Sequence, residues 1–487
     1  MRLVISIVGA NLAEKIAIKV GVENELFTLN DKGFIIPASK IVVKEIIQDI
    51  LNKEVDIDLL KNLIYGIQWE PHPAQLEIVT QPLSYVLIEK AMRISRQYIA
   101  DVAERKKIKI YAGSVHPIQS NPFPINGTHI SISVFPRKRK GMTRKFLTYI
   151  HNNIRKHIPE LIALTANSPI IAGNPSGYVS ARLVYSRVLR PSNYAVIKRS
   201  KTTIIPREKR ALLKYAFVFT DKKKYEHKVV ANEVGLRFLD VTPRGPFTNI
   251  IEDRWSSPKV SRVEARFLDN PSNIDYLMDI IAILIGLSLE AVDKLYRNER
   301  IEEPPNLTEN RRRAIKDGIN ATFIIDGATR PARDCVMEML QRVQTYLDIL
   351  GIKLRTSLAQ GVPEIEYYGA PEIISAHNGV MKNIFLGKIL MKVQLNGSRH
   401  LITIGGEKRR LKEKTRIFGL AFPEYNFEWD EDEHNIVSRF RKIKISYWLL
   451  TQHGYVRLMP DDRILIATSP IGKLVRLFNH IYKTMGF

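Results

Sequence analysis

Several well-separated segments of the chain place a polar or charged side chain at every second position, with apolar residues between them. In INGTHISISVF, His129, Ser131 and Ser133 alternate with isoleucine and valine, and in RVEARFLD, Glu264 lies between two arginines with the same spacing. Because successive side chains of a strand point to opposite faces, each pattern predicts a strand with one buried and one polar face. A sheet of such strands can cover a core on one side and carry polar chemistry on the other.

The stretch GVENELFTLN places Glu23 and Glu25 two residues apart on a predicted strand. Their side chains project together, about 7 Å apart, so two negative charges repel each other. The stretch WEPHPAQLEIVTQP adds Glu70 and Glu77, and Glu77 faces away from its apolar neighbours. Each pattern alone also fits a solvated face or a surface ion pair. The alternative is a divalent cation, because hard ions such as Mg²⁺ take oxygen ligands.

The composition is that of a globular chain, with 487 residues, 45% hydrophobic and 25% charged. The single cysteine, Cys335, lies among helix formers and is predicted to be a core residue, which excludes an internal disulfide and fits a reducing compartment. The start of the chain lacks a signal-peptide pattern, and the longest apolar segment contains Asp275 and Asp279. We therefore expect a soluble, cytoplasmic protein with no membrane partner.

The formal net charge is +24, and basic clusters occur at 137–145, 310–313 and 407–416. Such an excess favours polyanions, so nucleic acid is a possible partner. It is not favoured, because the clusters are scattered and aromatic residues do not interleave with them. A basic pocket for nucleotide phosphates or acidic substrates explains the charge nearly as well. The abundance of Ile, Lys, Arg and Glu also suggests a thermophile.

Turn signals divide the chain into two predicted domains, residues 1–375 and 376–487. The first alternates strand-like and helix-like segments, with one helix beginning after Asn270 and another ending at Gly351. The second is predicted to be a small β-rich domain. It holds hairpins at 387–406 and 455–469, an exposed acidic loop, EWDEDEHN, between them, and a terminal helix. Its role is open.

The order Glu-x-Glu, Glu pair, Gly-x-His and Glu-x-Arg resembles the glutamine synthetase superfamily, whose antiparallel sheet lines a funnel with metal-binding carboxylates. The stretch ALTANSPIIAGNPSGYVSARLVYSR (163–187) resembles a signature of the glutamate–cysteine ligase family, including its carboxylate–amine ligase branch. NRRRAIKDGINATFIIDG and TRPARDCVMEML are similar to a later segment of that family. The resemblance spans roughly residues 15–350. It implies an α+β fold, an antiparallel β-sheet funnel flanked by helices, with 376–487 as an addition that has no counterpart in the family.

The resemblance implies a role for each matching residue. The metal ligands would be Glu23, Glu25, Glu70, Glu77, His129 and Glu264. Arg266, Arg182 and Arg187 would hold a phosphate or the substrate carboxylate and act in catalysis, since a guanidinium suits both groups. Asn167 would shape the substrate or ATP pocket, although a helix-terminating role fits it equally well. Two departures, Asn24 between the first glutamates and Ser131 after His129, leave the ligands intact and put the substrate preference in doubt.

The implied activity is ATP-dependent ligation of glutamate, or a related carboxylate, to cysteine or another amine through an acyl phosphate. Mg²⁺, or alternatively Mn²⁺, would assist, and ATP would be the co-substrate. Two alternatives stay open. One is a catalytically inactive scaffold that binds nucleic acid or regulates, and the other is a small-molecule phosphotransferase of the same superfamily. A homo-oligomer is possible, and the sequence does not identify the amine.

Overall fold

The chain is described here by a computed structural model. The residues that the structure describes are 15–30, 34–52, 54–56, 62–70, 72–116, 125–139, 141–171, 174–186, 189–203, 223–230, 239–245, 247–248, 261–271, 273–361, 427–430, 435–438, 444–445, 454–458 and 464–468.

The strands are numbered along the chain. They are β1 (Ile16–Leu29), β2 (Ile64–Trp69), β3 (Gln75–Thr80), β4 (Lys109–Tyr111), β5 (Thr128–Pro136), β6 (Ile170–Ile171), β7 (Asn174–Pro175), β8 (Val196–Thr203), β9 (Lys223–Val230), β10 (Val241–Arg244), β11 (Arg262–Leu268), β12 (Thr322–Ile325), β13 (Ala328–Pro331), β14 (Phe427–Asp430), β15 (Asn435–Ser438), β16 (Lys444–Ile445), β17 (Gly454–Leu458) and β18 (Ile464–Thr468).

The helices are α1 (Ser39–Leu51), α2 (Tyr85–Arg105), α3 (Arg144–Lys156), α4 (Ile158–Thr165), α5 (Ala181–Tyr185), α6 (Ile274–Tyr296), α7 (Leu307–Asp317) and α8 (Ala332–Ile349). Short 3₁₀ turns follow at Gly318–Asn320 and Ser357–Gln360. Among the helices of the described residues, we find none with the length and apolar character needed to span a membrane.

A nine-stranded sheet forms the centre of the fold, in the order β10-β11-β5-β1-β3-β2-β17-β18, with β4 also paired to β1. Its neighbouring strands are antiparallel. The long strand β1 lies between β5 and β3 and carries Glu23 and Glu25. The predicted α+β architecture with an antiparallel sheet is therefore confirmed.

One face of this sheet is apolar and packs against the helices. Val20, Val22 and Leu26 of β1 are almost fully buried, and they share one core cluster with the apolar residues of α2, α3 and α6. Helix α6 is apolar nearly all round, as expected for a helix buried on all sides. The core thus occupies the helical side of the sheet and leaves the polar side chains on the opposite face.

Local signals place the ends of the two long helices near the predicted positions. The side chain of Asn273 accepts a hydrogen bond from the Asp275 N–H and caps α6, which begins just after the predicted start. Helix α8 ends at Ile349, and Gly351 follows with φ +66°, a conformation that glycine adopts readily. Cys335 is buried in α8, as predicted.

Gly286 lets α6 and α8 approach closely. A Cβ at this position would lie 2.5 Å from Val343 Cγ1 and 3.2 Å from the Val343 carbonyl oxygen. Alanine gains roughly 1 kcal/mol of helix propensity over glycine, but overpacking a core costs about 1–3 kcal/mol. We therefore expect Gly286→Ala to lower the free energy of unfolding, measured by urea denaturation. The loss should shrink in a Val343→Ala background, and a Gly286→Ala protein more stable than the wild type would show that this contact is not tight.

The C-terminal strands test part of the β-rich prediction. The hairpin predicted within 455–469 is confirmed, because β17 and β18 pair with each other. The prediction of a loop over the acidic stretch is partly wrong, because Asp430 of β14 pairs with Asn435 of β15. The hairpin predicted at 387–406 and the terminal helix lie outside the described residues. Strand β17 pairs with β2 and so continues the central sheet, while the boundary at 375/376 stays a prediction.

Candidate active site

Strand register brings the predicted acidic residues and His129 together on the polar face of the sheet. Glu23 of β1 pairs with His129 of β5, and Glu25 pairs with Glu77 of β3. Directly paired residues have Cβ atoms about 4.5–5.5 Å apart. Segments far apart in the sequence thus supply neighbouring side chains, as the family resemblance implied.

The side chains around Glu23 form a compact donor cluster. His129 Nδ1 lies 3.0 Å from Glu23 Oε2, and His129 Nε2 lies 4.0 Å from Glu25 Oε1. One ligand atom each from Glu23, Glu77 and His129 all lie within 4.8 Å of one another. Glu70 joins through Gln68, whose Nε2 donates to Glu70 Oε1 at 3.3 Å and also to Glu77. These side chains could hold a divalent cation.

The acidic side of the cluster carries more negative charge than its surroundings neutralise. Burial, and next the charge of Glu70, raise the pKa of Glu25 to about 8. Burial, Glu70 and Glu23 hold the pKa of Glu77 well above its usual range, and burial followed by the charge of Glu23 raises the pKa of Glu70. Hard oxygen donors with one imidazole suit Mg²⁺ or Mn²⁺. The donor set therefore fits the cation that the sequence predicted.

Glu23 differs from the other carboxylates because it has basic neighbours. Burial opposes its ionisation, but the hydrogen bond from His129 and the charge of Arg266 outweigh burial and lower its pKa. Arg266 Nη2 lies 4.0 Å from Glu23 Oε2. Glu23 thus stands at the boundary between an acidic side and a basic side of the site.

The basic side is built around Glu264, which is fully buried. Arg266 forms an ion pair with Glu264. Arg244 Nε lies 3.4 Å from Glu264 Oε2, and Arg262 Nη2 lies 3.7 Å from the same oxygen. Burial raises the pKa of Glu264, but these guanidinium groups, Arg266 first, bring it below its usual value. Three cations around one carboxylate leave positive charge for an anionic group such as a phosphate.

Arg182 reaches the same region from helix α5. Its Nη2 donates to the backbone carbonyl of Arg266 at 2.9 Å, and the residue is only 5% exposed. Among the described residues, Arg182 Nε and Nη1 have no hydrogen-bond partner. The other predicted arginine of this segment, Arg187, lies outside the described residues.

Asn167 lies behind the acidic cluster, in a buried corner centred on Asp269. The Asn167 N–H donates to Asp269 Oδ2 at 2.9 Å, and its side chain reaches the Asn270 carbonyl at 3.4 Å. Ser168 and Ser180 hydroxyls also donate to Asp269, at 2.7 and 2.8 Å. Asp269, which follows β11, thus connects the ALTANSP stretch with the GYVSAR stretch. These hydrogen bonds support the segment that carries Arg182.

Asn24 lies on the opposite face from Glu23 and Glu25 and is fully buried. Its side-chain amide donates to Asn270 Oδ1 at 2.6 Å, and its carbonyl oxygen accepts from Arg96 Nε at 2.9 Å. The departure from the family pattern at this position therefore leaves the donor cluster unchanged.

Sequence reasoning missed Gln68, Arg244 and a site role for Arg262. Arg262 has the same two-residue spacing from Glu264 as Arg266, so its position was available from the alternation. Gln68 likewise precedes Glu70 by two residues. Arg244 gave no local signal, because only the pairing of β10 with β11, Arg244 opposite Arg262, brings it to Glu264.

Comparisons with known proteins find a matching family model and similar sequences. Residues 125–348 match the family model "Glutamate-cysteine ligase family 2(GCS2)". "Putative glutamate--cysteine ligase 2" of Thermobifida fusca is 25% identical over 270 residues, 53% of this chain and 57% of that protein. "Putative glutamate--cysteine ligase 2-2" of Nocardia farcinica is 24% identical over 245 residues, 49% of this chain and 55% of that protein. The chain thus spans little more than half the length of these curated relatives.

Among solved structures, glutamate–cysteine ligase from Francisella tularensis in complex with AMP has a TM-score of 0.43 and 13% identity, covering 71% of this chain and 80% of that one. The bifunctional glutathione synthetase from Pasteurella multocida has a TM-score of 0.45 and 12% identity, covering 94% of this chain and 61% of that one. The family resemblance predicted from the sequence is confirmed by the match of residues 125–348 to the model of glutamate–cysteine ligase family 2.

Proposed function

We propose that this protein is an ATP-dependent carboxylate–amine ligase that forms a γ-glutamyl-type amide through an acyl phosphate. The observation that carries the proposal is the convergence of Glu23, Glu77 and His129, with ligand atoms within 4.8 Å of one another. The protein family whose model matches residues 125–348 supports the same reaction class. Glutamate is the expected carboxylate, and cysteine or another amine is the expected acceptor.

Glu23, Glu77 and His129 would hold one Mg²⁺ or Mn²⁺, and Glu25 and Glu70 extend the same acidic side. Bound there, the cation would neutralise phosphate charge and polarise a phosphoryl oxygen. Burial, and then the charges of Glu70 and Glu23, raise the pKa of Glu77, and a cation bound here would relieve this repulsion between carboxylates. Glu264, paired with three arginines, has less unneutralised charge. It is the weaker candidate for a ligand in the conformation described.

The arginines supply the rest of the chemistry. In the first step a carboxylate oxygen of the substrate attacks the γ-phosphorus of ATP, and ADP leaves. In the second step the amine nitrogen attacks the acyl carbon, phosphate leaves, and the nitrogen loses its proton. Arg266, near both Glu23 and Glu264, would neutralise the transferred phosphoryl group. Arg182 would bind a substrate carboxylate near Glu25.

The test is ADP formation with Mg-ATP, glutamate and a panel of amines and thiols. We expect ADP, phosphate and amide in equal amounts with the correct amine, and a hydroxamate when hydroxylamine replaces it. Glu25→Ala should stop ADP formation without unfolding the protein, whereas Glu299→Ala, at a half-exposed surface ion pair, should not. ATP turnover that ignores added carboxylates, or full activity in Glu25→Ala, would reject the proposal.

The same assay separates the remaining alternatives. A stable phosphorylated product without amide would indicate a small-molecule phosphotransferase. An inactive scaffold that binds nucleic acid predicts that RNA or DNA, and not Mg-ATP, raises the melting temperature, because a ligand stabilises the native state it binds. The retained carboxylate cluster argues against this second alternative.

A further inference from the structure

Gly127 touches two groups of the proposed site. Its backbone N–H donates to Glu25 Oε2 at 2.6 Å. On its other side lies the guanidinium of Arg182: a Cβ built on Gly127 would lie 2.7 Å from Arg182 Cζ and 3.0 Å from Nε, with Nη2 closer still. Real Cβ atoms do not come so near to other heavy atoms. The planar guanidinium therefore occupies the space that any other residue would fill with its side chain.

The backbone of Gly127 does not itself require glycine. Gly127 is absent from the residues with positive φ, which include Gly177, Gly318 and Gly351. Most other residues adopt a negative φ without strain. What glycine provides at this position is room for Arg182.

Arg182 is held in that space but is not satisfied there. Among the described residues its Nη2 donates to the Arg266 carbonyl, while Nε and Nη1 have no partner. Buried donors without acceptors cost free energy, and guanidinium donors pair best with a carboxylate or phosphate. On the other side of Glu23, Arg266, Arg262 and Arg244 already offer positive charge to a phosphate. A carboxylate is therefore the better match for Arg182.

We propose that Gly127 is a positioning residue: by lacking a side chain it seats Arg182 beside Glu25, where Arg182 binds a second carboxylate of the substrate. The proposal rests on the function proposed above, in which the expected carboxylate, glutamate, is a dicarboxylic acid. One carboxylate would be activated beside Glu23, Glu77 and His129, and the other would be held by Arg182. A monocarboxylate of equal length would lack the second contact.

Kinetics with glutamate and 4-aminobutyrate test this selectivity, because the second compound lacks only the α-carboxylate. We expect Gly127→Ala to raise KM for glutamate about tenfold or more, as the loss of a charged hydrogen bond implies, with little change in KM for Mg-ATP. The preference for glutamate over 4-aminobutyrate should fall equally in Gly127→Ala, Arg182→Ala and the double variant. Gly21→Ala is the matched control, because its added Cβ meets only Ser131 Cβ, at an ordinary 3.7 Å.

Melting temperatures test whether Gly127 positions Arg182, and they do so without relying on activity. Gly127→Ala should lower the melting temperature in the wild-type background but not in the Arg182→Ala background, where the clashing group is gone. An equal loss in both backgrounds would show that Gly127 does not seat Arg182. Retained glutamate selectivity in Gly127→Ala, or a KM change confined to the amine, would overturn the substrate assignment. A wild type that turns over none of these substrates would instead reject the proposed function, and the two melting comparisons would still decide the seating of Arg182.

Discussion

Replacing Glu77 with glutamine is expected to abolish ADP formation and yet leave the metal-free protein at least as stable as the wild type. Glu77 is 4% exposed, and its neighbours include Glu70, Glu23 and Glu25. Burial and these charges keep the pKa of Glu77 well above its usual range, so an ionised Glu77 is costly without a cation. Glutamine keeps the shape and removes the charge. Since losing an outer-shell group costs about 10–100-fold, losing a direct ligand should cost at least as much.

Two measurements check this expectation. ADP formation with saturating Mg-ATP gives the activity, and urea denaturation in the presence of a chelator gives the free energy of unfolding. Glu338→Gln, at an exposed ion pair with Arg330, is the control and should change neither quantity. A Glu77→Gln protein that is less stable than the wild type without metal would contradict the idea of surplus negative charge.

Arg266→Met should be damaging in both activity and stability. Burial raises the pKa of the fully buried Glu264, and Arg266, its ion-pair partner, is the strongest of the positive charges that lower it. Removing one partner of a buried pair costs about 3–5 kcal/mol, although Arg244 and Arg262 remain near Glu264 and should soften the loss. An arginine that stabilises a transferred phosphoryl group contributes about 10³–10⁵ to the rate. We expect a loss of kcat near the lower end of that range.

The variant is compared with Arg312→Met, which removes a largely exposed arginine from a surface ion pair with Glu309. That control should change the free energy of unfolding by no more than about 0.5 kcal/mol. If Arg266→Met kept normal kcat at saturating substrates, Arg266 would have a structural role only. Calorimetric binding of Mg-ADP to both variants would show whether nucleotide affinity falls with the rate.

The sequence predicted much of the sheet because the physical signal is local. Alternation alone assigned Glu23, Glu25, His129 and Glu264 to one side of their strands, and the register then places Glu23 opposite His129. The capping signal at Asn273 and the glycine at 351 located two helix ends for the same reason. These features depend on neighbours within a few residues.

What the sequence did not reveal depends on contacts between distant segments. Arg244 reaches Glu264 only through the pairing of β10 with β11, and Asp269 gathers hydrogen bonds from Asn167, Ser168 and Ser180. Periodicity carries no information about which strand becomes a neighbour. The same limit explains why the acidic stretch around Asp430 was predicted as a loop, although its ends pair as strands.

The central claim is that Glu23, Glu77 and His129 bind one divalent cation together. Pulsed electron paramagnetic resonance of Mn²⁺ bound to the metal-free protein tests it directly, because an imidazole ligand adds a nitrogen modulation to the manganese signal. We expect that modulation in the wild type and its loss in His129→Gln, with weaker Mn²⁺ binding in Glu77→Gln. Tight Mn²⁺ binding with no nitrogen modulation in the wild type, or no Mn²⁺ binding at all, would contradict the account.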